Sequence, residues 1–236
     1  LKSDIALSEN ARIDVSGSEA GSVFIRGGQL FVDDSAIQAE TLGDRDGGRV
    51  DIRAEEISFT RGANINCFVE GTGRGADVEI RAGGSFLFAG ENSDGERGRI
   101  GVETGLENKD AGDGGTLLIE AEDIAFRDGA FINSFTTGEG RGAEVTLRAD
   151  SVSLAGESSK GWGSSITVHA LESGDGGTLL IDAGDISLRG GAFIESATHG
   201  RGRGGEVTLK ADSVSLAGEG SGGYSSNIYM QAQGSG

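Results

Sequence analysis

Residues 178–219 read TLLIDAGDISLRGGAFIESATHGRGRGGEVTLKADSVSLAGE, and residues 116–157 read TLLIEAEDIAFRDGAFINSFTTGEGRGAEVTLRADSVSLAGE. The two stretches agree at 31 of 42 positions at an offset of 62. A more diverged copy begins at Arg49 as RVDIRAEEISFTRGANINCFVEGTGRGADVEIRAGGSFLFAGE. Self-similarity at a fixed period marks an array of supersecondary units. Each long copy divides again, because VTLRADSVSL has the pattern of LLIDAGDISL. The expected units are 22–48, 49–76, 77–115, 116–143, 144–177, 178–205 and 206–236, with a partial unit over 1–21.

Within a unit the apolar residues alternate with period 2, the strand pattern. A first segment runs through Val50/Ile52/Ala54, Val78/Ile80/Ala82, Leu117/Ile119/Ala121, Val145/Leu147/Ala149 and Leu179/Ile181/Ala183. A second holds Ile57/Phe59, Phe86/Phe88, Ile124/Phe126, Val152/Leu154 and Ile186/Leu188, and a third Ile65/Cys67, Ile100/Val102, Ile132/Ser134, Ile166/Val168 and Ile194/Ser196. Three short strands cannot bury a core alone, but stacked units bury one continuous apolar column. The expectation is an all-β parallel β-solenoid of three strands per coil, seven coils after the partial one, roughly 35 Å long at about 4.8 Å per rung.

This reading gives the composition a cause. The chain has 44 glycines and no proline among 236 residues. A stacked strand needs an N–H at every rung, which proline lacks, and glycine supplies positive-φ corners. The turns Gly73-Arg74-Gly75-Ala76, Gly140-Arg141-Gly142-Ala143 and Gly202-Arg203-Gly204-Gly205 alternate with Asp46-Gly47-Gly48, Asp113-Gly114-Gly115 and Asp175-Gly176-Gly177. No apolar run approaches the length of a membrane-spanning helix, so no membrane insertion is expected. A net charge of −18 opposes nucleic-acid and anionic-membrane partners. The single Cys67 cannot form an internal disulfide.

Outward positions of the first segment read Arg81, Glu120, Arg148, Asp182, Lys210. Their alternating signs predict a structural charge ladder that holds register. The run Arg26, Arg53, Arg81 breaks that alternation and has no explanation in the sequence.

Units such as GDGGTLLIDAGDISLRGGAFIESAT and GRGGEVTLKADSVSLAGEG resemble the repeats of large filamentous-haemagglutinin-like exoproteins, which bacteria export by two-partner secretion. The resemblance covers nearly the whole chain. It implies a right-handed β-helix, an extracellular or cell-surface location, an outer-membrane secretion partner, and a role in adhesion or aggregation. The family's amino-terminal secretion domain, with motifs such as NPNG, is not found in this chain. The expectation is therefore a piece of a central shaft.

Candidate sites lie in loops that interrupt alternate units: 89–98, 156–164 and 218–226. Trp162 and Tyr224 occupy equivalent places, two rungs apart, with Lys160 and Glu91 in the same set of loops. The favoured expectation is that both rings fold back over the flank of the core. The alternative is that they stack against sugars or other ligands of host or bacterial surfaces. The acidic turns containing Asp44, Asp46, Asp110, Asp113 and Asp175 are weak calcium candidates without the spacing of known calcium loops. No metal or other cofactor is expected. His169 and His199 lack metal-ligand spacing and are expected to take no part in chemistry, and Cys67 is read as a buried filler.

Three functions compete. The leading one is structural, a non-enzymatic shaft presenting loops for adhesion or cell–cell contact, with end-to-end self-association through exposed strand edges. The main alternative is a polysaccharide-binding or polysaccharide-degrading β-helix, which needs clustered carboxylates in a groove. Ice binding needs ranks of threonine, whereas the relevant column reads Asp51, Glu79, Leu118, Thr146, Leu180, Thr208.

Overall fold

The period-2 segments form strands in the computed structural model, which describes residues 3–232. Those residues hold 21 strands and no helix. Every pairing between these strands is parallel, within a 13-stranded sheet and an 8-stranded sheet. Partners lie from 24 residues apart, as in Arg12↔Ala36, to 39, as in Asp77↔Thr116. Parallel neighbours need a crossover connection, and here the chain passes from one sheet to the other before pairing again.

Registers match like with like. In the larger sheet Val23, Val50, Val78, Leu117, Val145, Leu179 and Val207 succeed one another, as do Leu30, Ile57, Phe86, Ile124, Val152, Ile186 and Val214. The smaller sheet aligns Ile13, Ile37, Ile65, Ile100, Ile132, Ile166, Ile194 and Ile228. A slip of one residue would turn each of these side chains outward. Between the sheets Phe59, Phe88 and Phe126 share one register column, with ring centroids 5.1 Å and 6.0 Å apart, and Phe86 packs against all three. Cys67 is buried there, its thiol pushed up to about 12 chiefly by burial.

Two local expectations are corrected. The first and second segments fuse into single strands, Glu144–Ala155 and Thr178–Arg189. The glycines of the repeated coil-to-coil turns also do not supply positive φ. Left-handed glycines sit instead at loop and corner positions such as Gly62, Gly90 and Gly156. The turn glycines allow close backbone approach: a Cβ on Gly114 would lie 2.5 Å from the Ala143 nitrogen, and one on Gly142 2.5 Å from that of Gly177.

The structure also explains the arginine run. Asp51 and Glu79 lie two positions before Arg53 and Arg81 and stand between the arginines. Asp51 pairs with Arg26 at 2.6 Å and Arg53 at 3.1 Å; Glu79 pairs with Arg53 at 3.0 Å, Arg81 at 2.5 Å and Arg49. Glu120 continues the chain to Arg81 and to Arg148 at 3.2 Å. Arg148, Asp182 and Lys210 are in register beyond it, but among the described residues Asp182 and Lys210 form no ion pair. The pairing therefore runs diagonally between two columns from Arg26 to Arg81 and along a single column from Arg81 through Glu120 to Arg148. At the last rung the edge strands leave Val214 46% and Met230 65% exposed.

Candidate functional site

The three interrupting loops lie beside the outer face of the smaller sheet, and each is pinched at its base by an antiparallel bridge: Glu91↔Arg97, Glu157↔Gly163 and Glu219↔Ser225. They stack on one another through carboxylates. Glu91 accepts the Ser159 N–H at 3.2 Å, and Glu157 accepts that of Ser221 at 2.8 Å. Glu91, read from sequence as a ligand residue, is thus engaged in holding the next loop. Lys160 is exposed and makes no ion pair among the described residues.

Trp162 is 58% and Tyr224 75% exposed. The expectation that they fold back over the core is overturned. Each loop closes on its own backbone, with the Ser158 N–H donating to the Trp162 carbonyl and the Gly220 N–H to that of Tyr224, and both rings stand exposed. Between the second and third loops lies a groove of about 560 Å³, lined by Trp162, Tyr224, Phe193, Tyr229 and Asn227. The rings of Phe193 and Tyr229 are 6.5 Å apart.

Trp162 also borders a second, polar groove of about 640 Å³ along the same face, lined by Arg12, Gln38, Asn64, Asn66, Arg97 and Arg99 among others. The register explains the gathering: Ala36, Asn64, Arg99 and Phe131 succeed one another outward, with Gln38 and Asn66 one column along. Arg99 donates to the Asn66 amide oxygen at 3.1 Å and lies 4.8 Å above the Phe68 ring. Arg97 donates to the Gly129 carbonyl at 2.7 Å and lies 4.1 Å above the Phe131 ring. Burial pulls Arg97 down to about 10, which leaves it charged at neutral pH. The sequence held a signal for this groove that first-segment stacking passes over: outward positions of the third segment do not repeat.

Farther along the face, Glu103 is buried, and one of its carboxylate oxygens lacks a hydrogen-bond partner. Burial raises its pKa, and Arg99, 3.7 Å away, offsets that only in part. Glu103→Gln is therefore expected to raise stability at pH 8 by about 1 kcal/mol, since a buried carboxylate is replaced by a neutral isostere. The gain shrinks as pH falls towards 4.5, because the folded chain takes up the Glu103 proton before the unfolded chain does. Thermal melts at pH 8 and pH 5 check this; an unchanged or lower Tm at pH 8 contradicts it.

The two histidines, 30 positions apart in sequence, are brought together. Their rings are 6.5 Å from one another, and His169 stacks on Phe135 at 4.9 Å. Glu195 lies 3.4 Å from the His169 Nε2. Burial pulls His169 down, Glu195 pulls it back, and His199 lowers it further. Burial and then Glu195 push the neighbouring Tyr229 hydroxyl up.

The calcium candidates have another occupation. Asp46, Asp113 and Asp175 accept the backbone N–H of Arg74, Arg141 and Arg203 at 3.0, 2.8 and 2.8 Å, so each acidic turn clasps the arginine turn of the next unit. Asp44 and Asp110 are exposed, and among the described residues no cluster of three or more His, Cys, Asp or Glu side chains is placed to hold a metal ion.

These observations define an all-β protein of stacked parallel strands with a grooved, loop-bearing face. No family model, curated protein or solved structure matches the chain.

Proposed function

We propose that the chain is a parallel β-solenoid of three strands per coil, seven coils following a partial one, and that it serves as the structural shaft of a secreted or surface-attached bacterial fibrous exoprotein. One observation carries this reading: all three segments pair in parallel with their own counterparts one unit along, so that each repeat adds one rung to a rod. Such stacking yields a rigid spacer whose stability derives from neighbouring repeats. Loops on one face are then displayed at a fixed spacing for adhesion or cell–cell contact. Export through an outer-membrane partner and an extracellular location belong to the same proposal. So does end-to-end association with a second copy, through edge strands that carry Val214 and Met230.

Tandem duplication of the six units 22–205 should lengthen the particle in small-angle scattering by about 29 Å, six rungs of about 4.8 Å, at unchanged cross-section. Antibodies against the chain should label intact cells of the producing bacterium. A particle that widens instead of lengthening in the first experiment, or labelling only after lysis in the second, contradicts the proposal.

The exposure of Trp162 and Tyr224 favours a second reading, polysaccharide binding by the loop face. Incubation with acidic and neutral polysaccharides separates binding from degradation. Release of reducing ends or unsaturated products would establish an enzyme and overturn the purely structural role.

A further inference from the structure

We propose that the polar groove beside Trp162 binds a segment of an acidic polysaccharide, a glycan bearing both carboxylates and free hydroxyls. The inference rests on the polysaccharide-binding reading and adds to it the chemical class of the ligand and the groove that takes it.

Charge is the first argument. The chain carries −18 overall, yet this groove is lined by Arg12, Arg97, Arg99 and Lys160 against the carboxylates of Asp34 and Glu96. Arg12 is paired with Asp14 at 2.7 Å and Arg99 lies 3.7 Å from Glu103, so Arg97 and Lys160 are the cations that form no ion pair among the described residues. Two of the guanidiniums are fixed on aromatic rings, Arg97 on Phe131 and Arg99 on Phe68. Arginines held this way lose less freedom on binding, and their planar forks match carboxylates.

Hydrogen bonding is the second. The Asn64, Asn66, Asn92 and Gln38 carboxamides line the groove. The oxygens of the first three already accept from Asn66, Arg99 and the Asp94 and Glu96 N–H groups, which leaves that of Gln38. The Gln38 amide oxygen is buried and has no partner in the protein. A purely anionic ligand supplies no donor for that acceptor, whereas a sugar hydroxyl does. A ligand that satisfies the arginines and Gln38 together must carry acid groups and hydroxyls.

Shape is the third. Trp162 borders both grooves and presents an exposed indole face, a platform for an apolar sugar face. Tyr224 stands two rungs from Trp162, roughly 9.6 Å, on the adjoining groove, so a sugar chain that leaves the polar groove over Trp162 meets a second ring there. The polar groove has a volume of about 640 Å³, within the range of small-ligand sites.

Because Trp162 is the only tryptophan, intrinsic fluorescence reports the site directly. The full chain is titrated at low salt with hexameric oligogalacturonate, a neutral cellohexaose control, poly-glutamate and a single-stranded oligonucleotide. The proposal expects a saturable Trp162 signal with oligogalacturonate, weakened at least ~10-fold by Arg99→Gln and several-fold by Lys160→Ala and by raising the salt. Lys160 lies on an exposed loop, so its variant keeps the test sound if Arg99→Gln fails to fold. Equal binding of cellohexaose overturns the acidic class while the polysaccharide reading survives. Equal binding of poly-glutamate or oligonucleotide, with the same loss in both variants, shows a non-selective cationic groove and overturns the glycan claim. No signal with any of the four overturns the inference; lengthening of the duplicated chain in scattering then leaves the shaft reading intact.

Discussion

Phe88→Ala is expected to remove about 4 kcal/mol of unfolding free energy, the upper part of the range for large-to-small core substitutions. Phe88 is fully buried and in register with Phe59 on one side and Phe126 on the other. A core that loses a ring usually recovers part of the cost by collapsing. Here the strands flanking Phe88 are hydrogen-bonded into a sheet whose spacing is fixed near 4.8 Å, so they cannot close the gap without breaking rungs. Phe24→Ala is the control, because Phe24 is an outward residue of the strand Val23–Arg26 and its loss should cost well under 1 kcal/mol. Urea unfolding followed by circular dichroism measures both. A Phe88→Ala cost below about 1 kcal/mol would show that the aromatic column is not an essential part of the core.

The second large effect is expected at Asp51, whose side chain is only 4% exposed and is clasped by Arg26 and Arg53, with Arg49 3.6 Å away. Burial alone would raise its pKa, but the two hydrogen-bonding arginines outweigh burial and hold it below the ordinary value of 3.8. Asp51→Ala leaves Arg26 with no carboxylate and throws Arg49 and Arg53 onto Glu79 alone, which Arg81 already shares. The expected loss is about 3 kcal/mol, at the low end for breaking a buried pair because the arginines reach solvent. Asp51→Asn should lose less, since it retains an acceptor. Acid should have the same effect on the wild type. Asp33, Asp77 and Glu79 are lowered as well. A depressed folded pKa contributes stability above the unfolded value that is lost as pH falls through the folded one. The wild-type Tm is therefore expected to drop once pH goes below about 4, and to drop less in Asp51→Ala. Equal acid sensitivity in the two proteins would contradict this account.

The fold was legible where a side chain repeats. The inward Val/Ile/Leu/Phe alternation could be read because burial imposes the same constraint on every rung, and the structure pairs Val50 with Val78 and Ile65 with Ile100. The site was legible only where it sat on an insertion, as at Trp162 and Tyr224, and even there the direction of the rings was not. Whether an aromatic on a loop turns in or out depends on how neighbouring loops stack, and here both rings stand on the groove between the second and third loops, exposed to solvent.

Other features required the assembled sheets. His169 and His199 are 30 positions apart in sequence but neighbours across a rung, and the cations of the polar groove come from three units, Arg12 from 1–21, Arg97 and Arg99 from 77–115 and Lys160 from 144–177. Asp51 and Glu79 were visible as a failed ice-binding column, yet their pairing with arginines of adjacent strands depends on a register that juxtaposes two outward columns diagonally. Sequence by itself determined the period, the inward face and the need for glycine without proline, because these follow from local alternation and from an N–H required at every rung. Tertiary structure alone decided which outward residues meet. Outward side chains answer to no shared core, and their neighbours are set by the stacking of distant segments.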